Sequence, residues 1–143
     1  MAMTMHVDIV SAEEEIYSGV ATFLVAPAVA GEVGVAPRHT PLLSPLKAGE
    51  VKITLQGGEE QSIFVSGGML EIQPHVVTVL ADTAIRAKDL DEAAAIAAKE
   101  RAEDALRDNA GEVDYAQAQL ELAEAVAQLH TIQNVKKRLG VSS

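Results

Sequence analysis

Cysteine and tryptophan are both absent from this 143-residue chain. Without a thiol there is no disulfide, no thiolate metal site and no cysteine nucleophile. Aromatic residues make up only 3%, so a core has to be built from aliphatic side chains and alanine. Positive charge is scarce too: 11 Lys and Arg stand against 21 Asp and Glu, a formal net charge of −10. A phosphate-backbone binder needs a basic face, which excludes nucleic acid as a partner class. No run reaches the ~18 apolar residues of a membrane span, and the opening MAMTMHVDIV lacks the basic-then-apolar order of a signal sequence. Membrane contact is therefore expected only indirectly, through a partner.

What the chain does contain divides into two halves. All five prolines precede residue 75 and eight of the ten glycines precede residue 69, whereas the last 57 residues hold 14 alanines. The change falls near Ala84–Lys88 and predicts one unit over residues 1–86 and a second over 87–143. In the first, HVDIVS (6–11), TFLVA (22–26), VKITL (51–55), SIFVS (62–66), MLEIQ (69–73) and VVTVLA (76–81) are short runs rich in β-branched residues. Gly57-Gly58, Gly67-Gly68 and Pro74 punctuate them, and Gly57-Gly58 suits a tight hairpin because glycine tolerates positive φ. Strands at this spacing with no helical period between them predict an antiparallel β-sandwich.

The second half changes period. Asp89 with Glu92, and Asp114 with Gln117, have the spacing that satisfies the free amides at a helix start, and DNAG ending in Gly111 reads as a C-cap and turn. Helices are predicted over about Leu90–Arg107 and Tyr115–Leu139, the second roughly 37 Å long at ~1.5 Å per residue. Tyr115, Ala118, Leu122, Ala125, Leu129 and Ile132 form one seam, and Ala94, Ala98, Ala102 and Ala105 a facing stripe. Small side chains allow close approach, which predicts an antiparallel two-helix hairpin. Alanine contacts bury little area, at ~25 cal/mol per Å², so the hairpin is expected to be separable from the sandwich. The fold class is thus α+β: an N-terminal antiparallel β-sandwich, then a helical hairpin.

One segment fits neither pattern. EVGVAPRHTPLLSPLKAGEV (32–51) carries Pro37, Pro41 and Pro45 with Val35, Leu42, Leu43 and Leu46 between them. Proline supplies no backbone donor, so the run is predicted to be neither an interior strand nor a helix. Two explanations of its leucines stand side by side: they cap the sandwich core, or they form a contact patch for a partner.

No residues assemble into a catalytic centre. His6, His39, His75 and His130 are scattered without metal-ligand spacing, and SGGM lacks the lysine of a phosphate loop. No Ser/His/Asp order or carboxylate pair stands in a recognisable setting. The triplet Lys136-Lys137-Arg138 complements the negative end of the second helix.

The segment SGGMLEIQPHVVTVLADTAIRAKDLDEAAA (66–95) resembles the signature region of the epsilon subunit of bacterial F-type ATP synthases. MAMTMHVDIVSAEEEIYSG, GEVGVAPRHTPLL and GEVDYAQAQLELAEAVAQL match the same family in the same order, in the manner of its proteobacterial members. The resemblance implies a β-sandwich followed by a helical hairpin. It also implies a non-catalytic rotor subunit without cofactors, which binds the gamma subunit and the c-ring on the cytoplasmic face of the inner membrane. There it would couple proton flow to ATP synthesis, while its helices extend toward the alpha and beta catalytic subunits and restrain hydrolysis. By the same resemblance Glu32, Pro37, Arg38, His39 and Pro41, with Leu42 beside them, face the ring and gamma. Lys136, Lys137 and Arg138 would meet acidic segments of the catalytic subunits. Some family members bind ATP through a motif (I/L)DxxRA, which implies a nucleotide-sensing alternative. Here Leu90 and Asp91 keep the first two positions, but Ala94 stands where the arginine belongs. No fixed guanidinium is left there to pair with a phosphate, which weighs against ATP binding.

Overall fold

The structure is a computed structural model that describes residues 3–107 and 112–140. Its strands are β1 Met5–Ser11, β2 Glu15–Ala28, β3 Gly31–Val35, β4 Leu42–Leu46, β5 Gly49–Leu55, β6 Glu60–Val65, β7 Gly68–Ile72, β8 Val76–Ala81 and β9 Ala84–Arg86. A 3-10 turn over Ala87–Asp89 leads to α1 Glu92–Arg107 and α2 Glu112–Arg138. The order across the sheet is β1-β8-β7-β4-β2-β5-β6-β9, with β3 on β2 and a further β1–β2 pairing. The fold is the expected sandwich followed by two helices. Among the described residues every strand pair is antiparallel except β1–β8, where the first strand runs parallel to the eighth. The 14-residue β2 pairs first with β1 and then, past an irregularity at Ala21–Phe23, with β5, so one strand serves both layers.

Alternation explains the core. Met5, Val7 and Ile9 of β1, Val51 and Ile53 of β5, and Leu70 and Ile72 of β7 all point inward and are buried. β6 behaves differently. Ile63 and Val65 belong to the sandwich core, yet Ser62 and Phe64 on the opposite face are also buried, and Phe64 lies outside that core cluster. A strand buried on both faces needs a second layer above it, and α2 packs over β5 and β6.

The proline-bearing segment departs from expectation. It contains β3 and β4, and Pro45 lies inside β4 between β7 and β2. The Pro45 carbonyl accepts from Val29 N–H at 3.0 Å, on the edge away from β7. In an extended strand a residue's nitrogen and carbonyl share one edge. The missing donor therefore faces the side where β4 meets β2 at a single pair, Ala28–Leu46, and the β7 ladder loses nothing.

The helices differ in detail. α1 begins at Glu92, and its cap is Asp91, whose Oδ1 accepts from Ala94 N–H at 3.1 Å; Asp89 sits in the preceding 3-10 turn. α2 begins at Glu112, so Asp114 lies inside its first turn, and at 27 residues it is about 40 Å long. The turn assigned to DNAG is residues 108–111, outside the described residues. Burial in α1 recurs at Ala95 and Ala102, with Ala98 and Ala105 half-buried, whereas Ala94 is exposed. On α2, Ala118, Ala125 and Ile132 are buried, but Tyr115 is 43% exposed. Both seams keep a strict seven-residue repeat, which excludes Ala94. Lys136 Nζ reaches Glu92 Oε2 at 2.6 Å, joining the end of α2 to the start of α1, as an antiparallel hairpin requires.

Gly57, Gly58, Gly67 and Gly68 all have positive φ. At Gly68 a Cβ would also run into the Leu80 carbonyl oxygen, whereas at Gly57 it would meet nothing. Gly57→Ala should cost about 1 kcal/mol, the left-handed backbone penalty. Gly68→Ala should cost more, by roughly 2 kcal/mol or above, because backbone must move. Urea unfolding of both variants checks the order, and equal losses would contradict the contact.

Candidate docking surfaces

The loop between β3 and β4 is a built corner. His39 N–H donates to the Ala36 carbonyl at 3.2 Å, closing a turn with Pro37 and Arg38 at its apex. Arg38 has φ +66°, and it is the only non-glycine with positive φ among the described residues. Proline first and positive φ second is the type II arrangement, which normally takes glycine or asparagine where Arg38 stands. The left-handed conformation costs an arginine about 1 kcal/mol. A 2.8 Å bond from Arg38 N–H to the Pro74 carbonyl holds it, joining this loop to the β7–β8 turn. Arg38 and Pro41 project into solvent, while Pro37 and His39 are half-buried, with His39 Nδ1 2.6 Å from the Thr40 carbonyl.

The leucines divide between the two explanations. Leu46 is buried at 6% exposure and belongs to the core, whereas Leu42 and Leu43 are open at 40% and 62%. Glu32 is not brought to the corner. It pairs with Pro27 near the start of β3, four residues before Ala36, or roughly 13 Å at ~3.3 Å per residue.

A second surface extends from Pro45 to residues that the proline segment does not contain. Pro45 pairs with Met69, Met69 with Leu80, and Leu80 with Val10, so the four lie in one row across β4, β7, β8 and β1. Leu80 is 50% exposed, and Leu43 and Val29 stand open beside the row. The hint was present in VVTVLA, where Val77, Val79 and Ala81 face inward yet the outward set still includes Val76 and Leu80. An apolar band across the outside of a sandwich is the kind of surface that partners cover.

The third surface is the seat of the hairpin. Phe64, 1% exposed, pairs with Glu50 on β5 and Ile85 on β9. Around it Glu50 Oε1 accepts from Asn134 Nδ2 at 2.9 Å, and Glu50 Oε2 accepts from Ser62 Oγ at 2.5 Å. Ser62 Oγ in turn accepts from Arg138 Nη1 at 3.1 Å. The basic triplet is therefore partly engaged: Lys136 pairs with Glu92, Arg138 reaches Ser62, and Lys137 is exposed.

Other candidates resolve into structural roles. His6 lies 2.9 Å from Asp8 and 3.1 Å from Ser18, a grouping that the separate histidines did not announce. All three meet at one atom, Nε2, and Ser18 Oγ donates to Asp8 at 2.8 Å. A relay needs serine and aspartate on opposite ring nitrogens, so this is a strand-surface cluster. In the nucleotide-motif stretch Leu90 is half-buried, the Asp91 carboxylate caps α1 and Ala94 is exposed. Among the described residues no group of three or more His, Asp or Glu could hold a metal ion.

Residues 4–87 match the family described as ATP synthase, Delta/Epsilon chain, beta-sandwich domain, and residues 88–133 match its long alpha-helix domain. The chain is 66% identical over 140 residues to the ATP synthase epsilon chain of Nitrosococcus oceani, covering 98% of this chain and 100% of the relative. It is 60% identical over 136 residues to that of Halorhodospira halophila, covering 94% and 96%. Among solved structures, a chain in the Euglena gracilis mitochondrial ATP synthase (OSCP/F1/c-ring, rotational state 1) matches with a TM-score of 0.80. That match covers 87% of this chain and 78% of the other at 19% identity, a likeness of fold.

Because the Arg38 backbone is held in a glycine-like conformation, Arg38→Gly should leave stability unchanged or raise it by up to about 1 kcal/mol. Thermal unfolding tests this; a clear loss would mean that the arginine side chain supports the fold.

Proposed function

Because the chain belongs to the ATP synthase delta/epsilon family, alongside proteobacterial epsilon chains, we propose that it is a rotor foot carrying a releasable brake. It is a non-catalytic subunit of the synthase. In this reading residues 1–86 dock on the gamma subunit and the c-ring, transmitting rotation driven by proton flow. Residues 87–143 form an arm that leaves the sandwich and extends toward the alpha and beta subunits to restrain ATP hydrolysis. The subunit works at the cytoplasmic face of the inner membrane, attached through its partners. Among the described residues no helix is long and apolar enough to cross a membrane.

The docking half is supported by stiffness and by exposed apolar area. The Pro37–Arg38 corner is ordered before any partner arrives, so less conformational entropy is lost on binding. The Pro45–Met69–Leu80–Val10 row offers a band for gamma, and Arg38, His39, Pro41 and Leu42 form the end offered to the ring. Glu32 joins that surface only if the partner spans the length of β3.

The observation that carries the regulatory half is the burial of Phe64. A fully covered aromatic that belongs to no sandwich core is the contact that a detachable layer makes. Its burial contributes about 1.5–3 kcal/mol. The alanine seams add little to this, and a gap of a few kcal/mol leaves a minor open state within reach of a partner. Arg138 holds Ser62 in the folded chain, so an acidic group on a catalytic subunit must take the place of Ser62 when the arm leaves. A nucleotide-sensing role has less support, since Asp91 is occupied as a helix cap and Ala94 supplies no cation.

Two measurements test the reading. Truncation after Asp89 should leave a folded sandwich that still assembles with gamma, while hydrolysis by the reconstituted complex rises severalfold; unchanged hydrolysis would remove the brake. Leu80→Lys, at a half-exposed position, should leave the melting temperature within a few degrees but weaken gamma binding about tenfold or more, the effect of a charge set in an apolar contact. Retained affinity would move the docking face elsewhere.

A further inference from the structure

The geometry points to Glu50 as the single acceptor that latches the arm to the sandwich. The inference rests on the reading of the hairpin as a releasable arm and identifies what holds it. Lys136–Glu92 joins α2 to α1, so it travels with the arm and does not resist detachment. Among the described residues, the side-chain hydrogen bonds that cross from hairpin to sandwich are Asn134 to Glu50 and Arg138 to Ser62. Both run to one place, because the Ser62 hydroxyl itself donates to Glu50. Asn134 and Arg138 are four residues apart and share one face of α2.

The direction of every bond is the same. The arm brings donors, an amide N–H and a guanidinium, and the sandwich brings one carboxylate, which only accepts. Ser62, 6% exposed, relays between them and has no other acceptor among the described contacts. The latch borders Phe64, since Glu50 is that residue's partner across β5 and β6. An apolar anchor with a polar rim that excludes water is the arrangement that concentrates binding energy in a small contact. The grip is at the C-terminal end of α2. Close by, β9, the strand that leads into the 3-10 linker, stays tied down, because Arg86 Nη2 donates to the Ile16 carbonyl at 2.5 Å. Losing the Glu50 acceptor therefore frees the tip of α2 while the linker remains attached.

Glu50→Gln keeps the shape but puts a donor or a weaker acceptor where Ser62 and Asn134 both need to donate. Asn134→Ala removes one donor from a helix surface without disturbing the sheet. In the full-length isolated chain, amide exchange across residues 129–139 should speed up on the order of tenfold in either variant, the loss of one charge-assisted bond. Exchange in β1 and β8 should stay at the wild-type rate. The Glu50→Ala/Asn134→Ala double variant should be no faster than Glu50→Ala alone, because one contact is being removed twice. Lys136→Ala should accelerate exchange less than Glu50→Gln. Unchanged α2 exchange in both Glu50→Gln and Asn134→Ala, strictly additive effects, or equal acceleration in β1 and β8 would each overturn the latch. These readouts use the isolated chain, so the latch can fail while truncation still relieves hydrolysis, and the converse also holds.

Discussion

The architecture depends on one strand that faces two ways. β6 turns Ile63 and Val65 into the sandwich, and Ser62 and Phe64 out of it, and all four are buried. The inner pair is enclosed by other strands and needs nothing further. The outer pair lies on the strand that α2 packs over, where Arg138 reaches Ser62. Burial of an aromatic ring and a serine is thereby linked to the position of the hairpin. Any force that lifts the hairpin must expose apolar area and break the bonds around Glu50 together. Because those contacts are few, the cost is a few kcal/mol and not the whole stability of the domain.

The β3–β4 loop and β4 are built for rigidity. The Pro37–Arg38 turn, the tie from Arg38 to Pro74 and the placement of Pro45 within β4 all remove freedom before a partner is met. Proline inside a strand usually marks an edge. Here the chain turns the donor-free side of Pro45 toward a nearly unpaired margin, so a restrained residue sits in the sheet without an orphaned carbonyl. The apolar row from Pro45 to Val10 runs outward from that same strand. The molecule thus pairs a stiff, apolar outer face with a helical cover held by few contacts.

Much of this was legible in the residues. Val7 and Ile9 alternating with His6 and Asp8, the paired glycines and the late run of alanines specify strands, turns and helices through local physics alone. The hairpin seams were legible apart from Ala94 and Tyr115, both of which are exposed. Ala94 and Ala95 differ only in which satisfies a seven-residue repeat, and that repeat is set by the partner helix. Asp89 and Asp91 are equally good caps in isolation, and the linker's 3-10 turn decides between them. The candidate site was less legible. Leu42, Leu43 and Leu46 look alike in sequence, yet one is core and two are open, because a strand's faces are assigned only once its neighbours are known.

By itself the sequence determined the two-part construction, the aliphatic core, the exclusion of thiol chemistry and the resemblance to a rotor subunit, since composition, periodicity and motif order are properties of the chain alone. Tertiary structure decided the outward row of Pro45, Met69, Leu80 and Val10, the strained Arg38 corner and the convergence of Asn134, Ser62 and Arg138 on Glu50. These join residues up to 84 positions apart in the chain. No local pattern encodes which strands will lie side by side, because pairing is chosen by burial summed over the whole fold.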